Sequence, residues 1–355
     1  MDVRAAVALA GIVLIAGVMT DAFQTMVLPR RATLRVRLSA LFYRWAWQFW
    51  GAISRVIREP RARERFLGNF GPLSVILLLA LWVLLLITGF AMLQWGIGSH
   101  LVTPDGRSGF AYDLYMSGTT FVTLGLGDVI PTSDSARLVT VLEAATGFSF
   151  LAVLVGYLPV LYQTFAQREV DVWLQAVHAG TPPSVAGVLT RYTRRRETTA
   201  MVNRMTDWER WVAQLLDTHL SHTPLAYFRS QHFGQSWVGA LTVVLDLCAM
   251  LIVGIEGYPT EQAEATFAAA QQAAKELSEP YAPRYLKNGN EAFPDRLPAE
   301  ELIRLRALLV AAGLKPTVGP QADAKLAELR AGYEPAVQAL AAYLRMPLPA
   351  WYNET

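Results

Sequence analysis

MSGTTFVTLGLGDVIPT, residues 116–132, places Gly125 and Gly127 two positions apart and follows them at once with Asp128. A β-strand gains nothing from that spacing, whereas a backbone that must turn successive carbonyls toward one axis does. Glycine takes positive φ without a steric penalty, so glycines alternating with other residues let consecutive peptide planes face the same way. The result is a ladder of oxygens. In a ring of four copies, such a ladder replaces the water shell of a dehydrated potassium ion.

Thr123-Leu124-Gly125-Leu126-Gly127-Asp128 is preceded by the polar run Ser117-Gly118-Thr119-Thr120 and flanked by two long apolar segments. A glycine pair alone occurs in turns and nucleotide loops as well. With filter, flanks and spacing all in agreement, the region from about Pro72 to Glu169 resembles the pore loop of tetrameric potassium channels. Most filters of that family read GYG; here Leu126 fills the aromatic slot, as in the similar GLG filters of the second loop of two-pore-domain channels. The resemblance implies a homotetramer with potassium held at Thr123, Leu124, Gly125 and Leu126, and Gly127 completing the filter. No cofactor is implied beyond the permeant ion.

Composition agrees with a chain partly solvated by lipid. Of 355 residues, 53% are hydrophobic and only 17% charged, with mean hydropathy +0.28. A formal net charge of +2 argues against nucleic acid as a partner, and the lone Cys248 excludes an internal disulfide.

Three spans are expected. Ala5 to Leu28 is charge-free until Asp21 and, at about 1.5 Å per residue, is long enough for a hydrocarbon core of ~30 Å. The balanced start Met1-Asp2-Val3-Arg4 reads as a retained helix rather than a signal peptide; Asp21 reads as a snorkelling or capping residue. Leu73 to Leu93 is charge-free over 21 residues, and Leu138 to Tyr162 is interrupted only by Glu143. Between the first two spans, Arg30 to Arg65 carries ten arginines against Glu59 and Glu64. Its apolar residues from Leu38 to Val56 recur at helical spacing, with Arg37, Arg44, Arg55 and Arg58 on an adjoining face. That pattern predicts an interfacial helix with its arginines toward anionic lipid phosphates. A voltage sensor is disfavoured because Pro60 breaks the run Arg55, Arg58, Arg61. The basic linker and the Arg191–Arg196 cluster place the amino terminus and pore loop outside and the carboxyl half inside a bacterial inner membrane.

Ala111 to Val122 is too short to cross and predicts a re-entrant pore helix whose carboxyl end favours a cation in the cavity. Around the filter, Asp128 is expected to anchor the outer mouth through Tyr115, or else to act as a surface charge. Glu143 is expected to face the pore helix near Thr119 and Tyr115, with Thr120 also supporting the filter. Gly147 is a hinge or a packing glycine. Gly156-Tyr157-Leu158-Pro159 lies where a proline kink would suit a gate.

Beyond Glu169 the resemblance thins, and no phosphate-binding glycine loop follows a strand pattern. Helices are expected over Val170–His178, Pro183–Arg194, Thr206–Ser221, Ser236–Ile255, Thr260–Leu277, Pro298–Ala312, Ala322–Ala331 and Pro335–Arg345. Trp237 to Ile255, 19 residues, has the length of a membrane span; a buried core helix with Asp246 paired to a neighbour's arginine or histidine is the better reading. His219 and His222, three apart, with Asp246 nearby, form a candidate ligand or metal cluster. Core histidines and an Arg229–Asp246 pair are the alternative.

The expected architecture is an all-α membrane protein with three transmembrane helices, a pore helix and filter per subunit, and an all-helical cytoplasmic domain. Its segments are 1–29 (first membrane helix), 30–71 (basic interfacial helix and linker), 72–165 (pore module) and 166–355 (helical domain). The expected function is potassium conduction, gated at the inner helix and regulated through the cytoplasmic domain, with a cytoplasmic ligand left open. A weakly selective cation channel is the alternative within the class. A membrane-anchored enzyme or sensor has no nucleophile or base pair in the sequence to carry it.

Overall fold

The computed structural model describes residues 3–28, 37–104, 106–180, 183–195, 198–258, 260–282 and 293–353. The start of the basic linker, 30–36, and the side chains of Arg194, Arg195 and Arg196 lie outside that description. The chain is an all-α membrane protein. It clusters into two units, Met1–Gln163 with Ser221–Pro224, and Thr164–Leu220 with Leu225–Thr355.

In the first unit, α1 (Val3–Met26), α4 (Phe70–Gly96) and the leading part of α6 (Asp134–Ala179) are long and apolar enough to cross a membrane. α1 runs antiparallel to α4, and small residues set how close they come. A Cβ on Gly11 would stand 2.6 Å from the Gly89 carbonyl oxygen, and one on Gly96 2.6 Å from Ala8. Membrane helices gain little from hydrophobic exclusion against one another, so this backbone approach is what holds the pair.

Near the other end of α1, Asp21 is buried and fully used. It accepts from the Ser39 backbone N–H at 3.0 Å, Ser39 Oγ at 2.8 Å and Trp82 Nε1 at 2.9 Å. The carboxylate thus caps α2 (Leu38–Ser54) from a neighbouring helix, satisfying an N-terminal donor that α2 leaves without an intrahelical partner. Arg37 is drawn into the same cluster, 3.6 Å from Asp21, and donates to Thr25 Oγ1 at 2.5 Å. Arg37 therefore does not join a lipid-facing row, a correction to the sequence reading, because a buried carboxylate competes for it. Arg44, Arg55 and Arg58 are exposed.

α2 buries Tyr43, Trp47 and Gly51. Trp47 packs on Phe70 of α4, and Trp50 stacks on Phe66 of α3 (Pro60–Gly68) with ring centroids 4.4 Å apart. Trp45, Phe49 and Val56 point outward. An apolar face turned away from the helical core is what an interfacial helix presents to lipid.

In the second unit, α7 (Val185–Arg195), α8 (Thr198–Ser221), α9 (Trp237–Val253), α10 (Glu261–Tyr281), α11 (Ala299–Ala311), α12 (Pro320–Ala331) and α13 (Glu334–Leu344) form a helical domain. α9 is its axis: every residue from Leu241 to Ile252 is buried. Ser236 Oγ accepts from the Gly239 N–H and starts the helix. The apolar run is thus a core helix, enclosed by α7, α10, α12 and α13. The predicted break between the third span and a helix at Val170–His178 does not occur. α6 continues through both, with Pro159 inside it.

Candidate functional site

The site is assembled by α5 (Phe110–Phe121), the loop after it, and the α4 and α6 helices on either side. Gln94 of α4 donates to the Ala136 carbonyl and Thr140 Oγ1 of α6, both at 3.1 Å. Ser99 Oγ donates to Asp113 at 2.9 Å in the first turn of α5. A two-residue antiparallel ladder, β1 (Leu101–Val102) with β2 (Ile130–Pro131), ties the two ends of the loop together, in register Leu101 to Pro131 and Val102 to Ile130. Thr132 extends it by donating twice to the His100 carbonyl. The segment between the two ladder strands is therefore tied together at its entry and its exit.

α5 ends by folding back on itself. The Thr119 carbonyl accepts from both the Leu124 N–H at 2.7 Å and the Gly125 N–H at 3.2 Å. From there the backbone alternates: Thr123, Gly125 and Gly127 take φ of 59°, 55° and 74°, while Leu124 and Leu126 between them stay at negative φ. Thr123 is one of two non-glycine residues at positive φ among those described, a conformation that costs a β-branched residue energy and marks a shape imposed for use. Alternating handedness turns successive peptide planes to one side and concentrates their dipoles. Every residue from Val122 to Asp128 is exposed on the single chain, Leu124 and Leu126 included.

The flanking residues fall as follows. Tyr115 Oη donates to Asp128 Oδ2 at 2.9 Å, joining α5 to the end of the loop. Thr119 Oγ1 donates back to the Met116 carbonyl at 3.0 Å, within its own helix. Glu143 is fully buried and faces α5, where its neighbour is Ser117. Neither Glu143 carboxyl oxygen has a regular hydrogen bond, and Ser117 Oγ has none either. Gly147 meets the end of α5 directly: a Cβ there would lie 2.2 Å from the Phe121 carbonyl oxygen. Phe121, Phe150 and Trp82 close this layer, with Phe150 ring centroids 6.3 Å from Trp82 and 6.5 Å from Phe121. Further along α6, a Cβ on Gly156 would meet nothing within 4 Å, and Tyr157 is buried against His222 with ring centroids 5.7 Å apart.

The histidine cluster expected from spacing is not assembled. His219 is buried with Nε2 3.2 Å from Arg168 Nη1 and Nδ1 2.9 Å from the Leu215 carbonyl, its ring against Trp237. Arg168 also donates to the Leu225 and Phe228 carbonyls. Asp246 is held by Arg296 and Tyr333, and Arg229 donates instead to the Leu344 and Arg345 carbonyls. Both the metal reading and the Arg229–Asp246 pair are thus corrected. Among the described residues no group of three or more His, Cys, Asp or Glu side chains is placed to hold a metal. Spacing along one helix suggests a shared face for His219 and His222, but each ring is already committed to its own neighbours.

Comparison with known proteins falls on this same module. Residues 76–163 match a family model described as "Ion channel". A stretch of 96 residues is 29% identical to the "Uncharacterized membrane protein YdjJ" of Bacillus subtilis (strain 168), covering 26% of this chain and 28% of that protein. No solved structure matches. The part of the chain that is similar to ion channels runs from α4, through α5 and the TLGLGD loop, into α6.

Proposed function

We propose that this protein is a potassium-selective channel, a homotetramer in a bacterial inner membrane with the TLGLGD loops of four chains meeting around one axis. The observation that carries the reading is the alternation of φ from Thr123 to Gly127 at the carboxyl end of a short helix between two membrane spans. One such loop lines one side of an ion path; four enclose it. Carbonyl oxygens of Thr123, Leu124, Gly125 and Leu126, with the Thr123 hydroxyl, replace hydration water, and ions in neighbouring sites displace one another. The carboxyl end of α5 adds negative partial charge toward a cavity cation. The exposed Leu124 and Leu126 side chains are covered in this arrangement by the surrounding chains. Gating is assigned to α6 between Gly156 and Pro159, under influence of the second unit on the cytoplasmic side, and anionic lipid is the expected partner of Arg44, Arg55 and Arg58.

Purified protein in planar bilayers with potassium on one side and sodium on the other tests this. A reversal potential near the potassium equilibrium value is expected. Leu126 favours a second reading, a weakly selective cation channel, because a leucine cannot brace the filter through a ring hydroxyl. A reversal potential near zero in the same experiment selects it and rejects the first.

Bracing then falls to the Tyr115–Asp128 bond. Tyr115→Phe keeps the ring and removes the donor, so single-channel open bursts are expected to shorten severalfold with unitary current little changed. Bursts of unaltered length would show that Asp128 acts as a surface charge and not as an anchor.

A further inference from the structure

Within the second unit, the end of α6, α7 and the first turns of α8 surround a pocket of about 270 Å³ lined by His178, Arg191, Tyr192, Asn203, Arg204 and Asp207. That is close to the lower end of small-molecule sites, roughly 300 Å³. Its charge is unevenly answered. Arg204 donates from Nη2 to His178 Nε2 at 3.0 Å and from Nε to the Tyr192 hydroxyl at 3.4 Å. Its acidic partner among the described residues, Asp207, stands 3.8 Å away with its side chain 58% exposed. Arg191 is exposed and donates from Nη1 to the Val177 carbonyl at 2.8 Å, a neutral acceptor.

Arginine only donates, so the Arg204–His178 hydrogen bond uses His178 Nε2 as its acceptor. The ring of Tyr192 lies nearly parallel to the imidazole, which holds the acceptor in place. Two guanidinium groups therefore line one concave site, Arg204 beside the solvated Asp207 and Arg191 on a backbone carbonyl, with the Asp171 carboxyl pushed up by burial and then by nearby Asp207. In sequence the density of positive charge is higher still, since Arg191 to Arg204 holds five arginines against Glu197.

We propose that this pocket binds a phosphoryl anion. Guanidinium forks match the paired oxygens of a phosphate better than any neutral acceptor does, and Tyr192 and Asn203 supply further polar contacts at the rim. Asp207 competes for Arg204 and would be displaced on binding. The phosphoryl group can come from a soluble compound or from a lipid headgroup, and the test separates the two.

The full-length protein is placed in nanodiscs of phosphatidylcholine and titrated with pyrophosphate and with ATP, following its thermal midpoint, because a ligand that binds only the folded chain raises it. A second set uses equal parts phosphatidylcholine and phosphatidylglycerol without soluble phosphate. Arg191→Gln and Arg204→Gln are each expected to weaken the response by about tenfold in apparent affinity, as for the loss of one charge-assisted hydrogen bond. Asp207→Asn, which removes the competing carboxylate, is expected to tighten it, a gain that misfolding cannot mimic. Arg304→Gln, exposed on α11 and outside the pocket, serves as the control and should respond as the unaltered chain does. Stabilisation in the first set assigns a soluble phosphate; stabilisation confined to the second and weakened by Arg191→Gln and Arg204→Gln assigns a headgroup, and one that those variants leave intact overturns the proposal. An unaltered chain that responds in neither set, or equal responses across all the variants, overturns the proposal. The readout needs no ion current, so its failure would leave the channel reading where it stands.

Discussion

Gly147→Val is expected to abolish assembled, conducting protein, while Gly156→Ala leaves the yield of folded, assembled protein close to that of the unaltered chain. The two glycines lie on the same helix, α6, and meet different surroundings. At Gly147 any Cβ would fall 2.2 Å from the Phe121 carbonyl oxygen and 3.2 Å from the Phe121 Cα. Both are backbone atoms at the end of α5, the point from which the TLGLGD loop departs, so the neighbour cannot swing aside as a side chain would. Overpacking a core side chain costs ~1–3 kcal/mol, and displacing a backbone that carries the candidate filter costs function as well as stability. At Gly156 a methyl group meets nothing within 4 Å. A hinge would predict another outcome: Gly147→Ala would stiffen opening without harming assembly, since alanine favours the helix by ~1 kcal/mol over glycine. Size-exclusion profiles and currents from reconstituted protein decide. Normal assembly of Gly147→Val would refute close packing as the reason for this glycine.

Features carried by composition or by short-range geometry are legible in the sequence. Three apolar runs of membrane length are three long helices, and the helices read from Pro183 to Arg345 fall within a few residues of α7 to α13, apart from α8, which starts earlier, at Thr198. The alternating glycines of the 123–127 loop take positive φ because the need for it is local to the backbone. Partner choice is not legible in the same way. Asp21, Arg37, Ser39 and Trp82 come from separate parts of the chain, and only their tertiary approach tells that Arg37 answers a carboxylate and not a lipid. Glu143 faces α5 as read, but that Ser117 is its neighbour there is told only by the tertiary approach of α6, which meets α5 at Gly147 and Phe121. The stop expected between Tyr162 and Val170 has no proline or glycine behind it, and α6 runs through.

Asp246 is the sharpest case of partner choice, and Asp246→Ala is expected to be among the most destabilising single changes in the second unit. The carboxylate is completely buried in α9; Arg296 Nη2 lies 2.6 Å from Oδ2, and Tyr333 Oη donates to Oδ1 at 2.5 Å. Burial works against the Arg296 charge, but Asp246 first and Glu334 after it overcome that cost, so the guanidinium is held above its ordinary value and stays ionised. Burial, then the same carboxylate, push the Tyr333 phenol up, keeping it protonated and a donor. Truncation strands both groups. Breaking a buried pair on one side costs ~3–5 kcal/mol because the remaining charge has no answer, and Glu334 at 3.2 Å with the Pro349 carbonyl at 2.9 Å moves the expectation toward the lower figure. For a domain of this size that is a fall in thermal midpoint of roughly 10 °C. Asp246→Leu combined with Arg296→Met should recover at least half of the loss, since removing both charges removes the desolvation cost along with the attraction. Thermal unfolding of the full-length protein, followed by near-ultraviolet circular dichroism, reads both. If the double variant melts as low as the single one, the unanswered charge is not the cause, and the loss comes instead from the packing of α9 against α13.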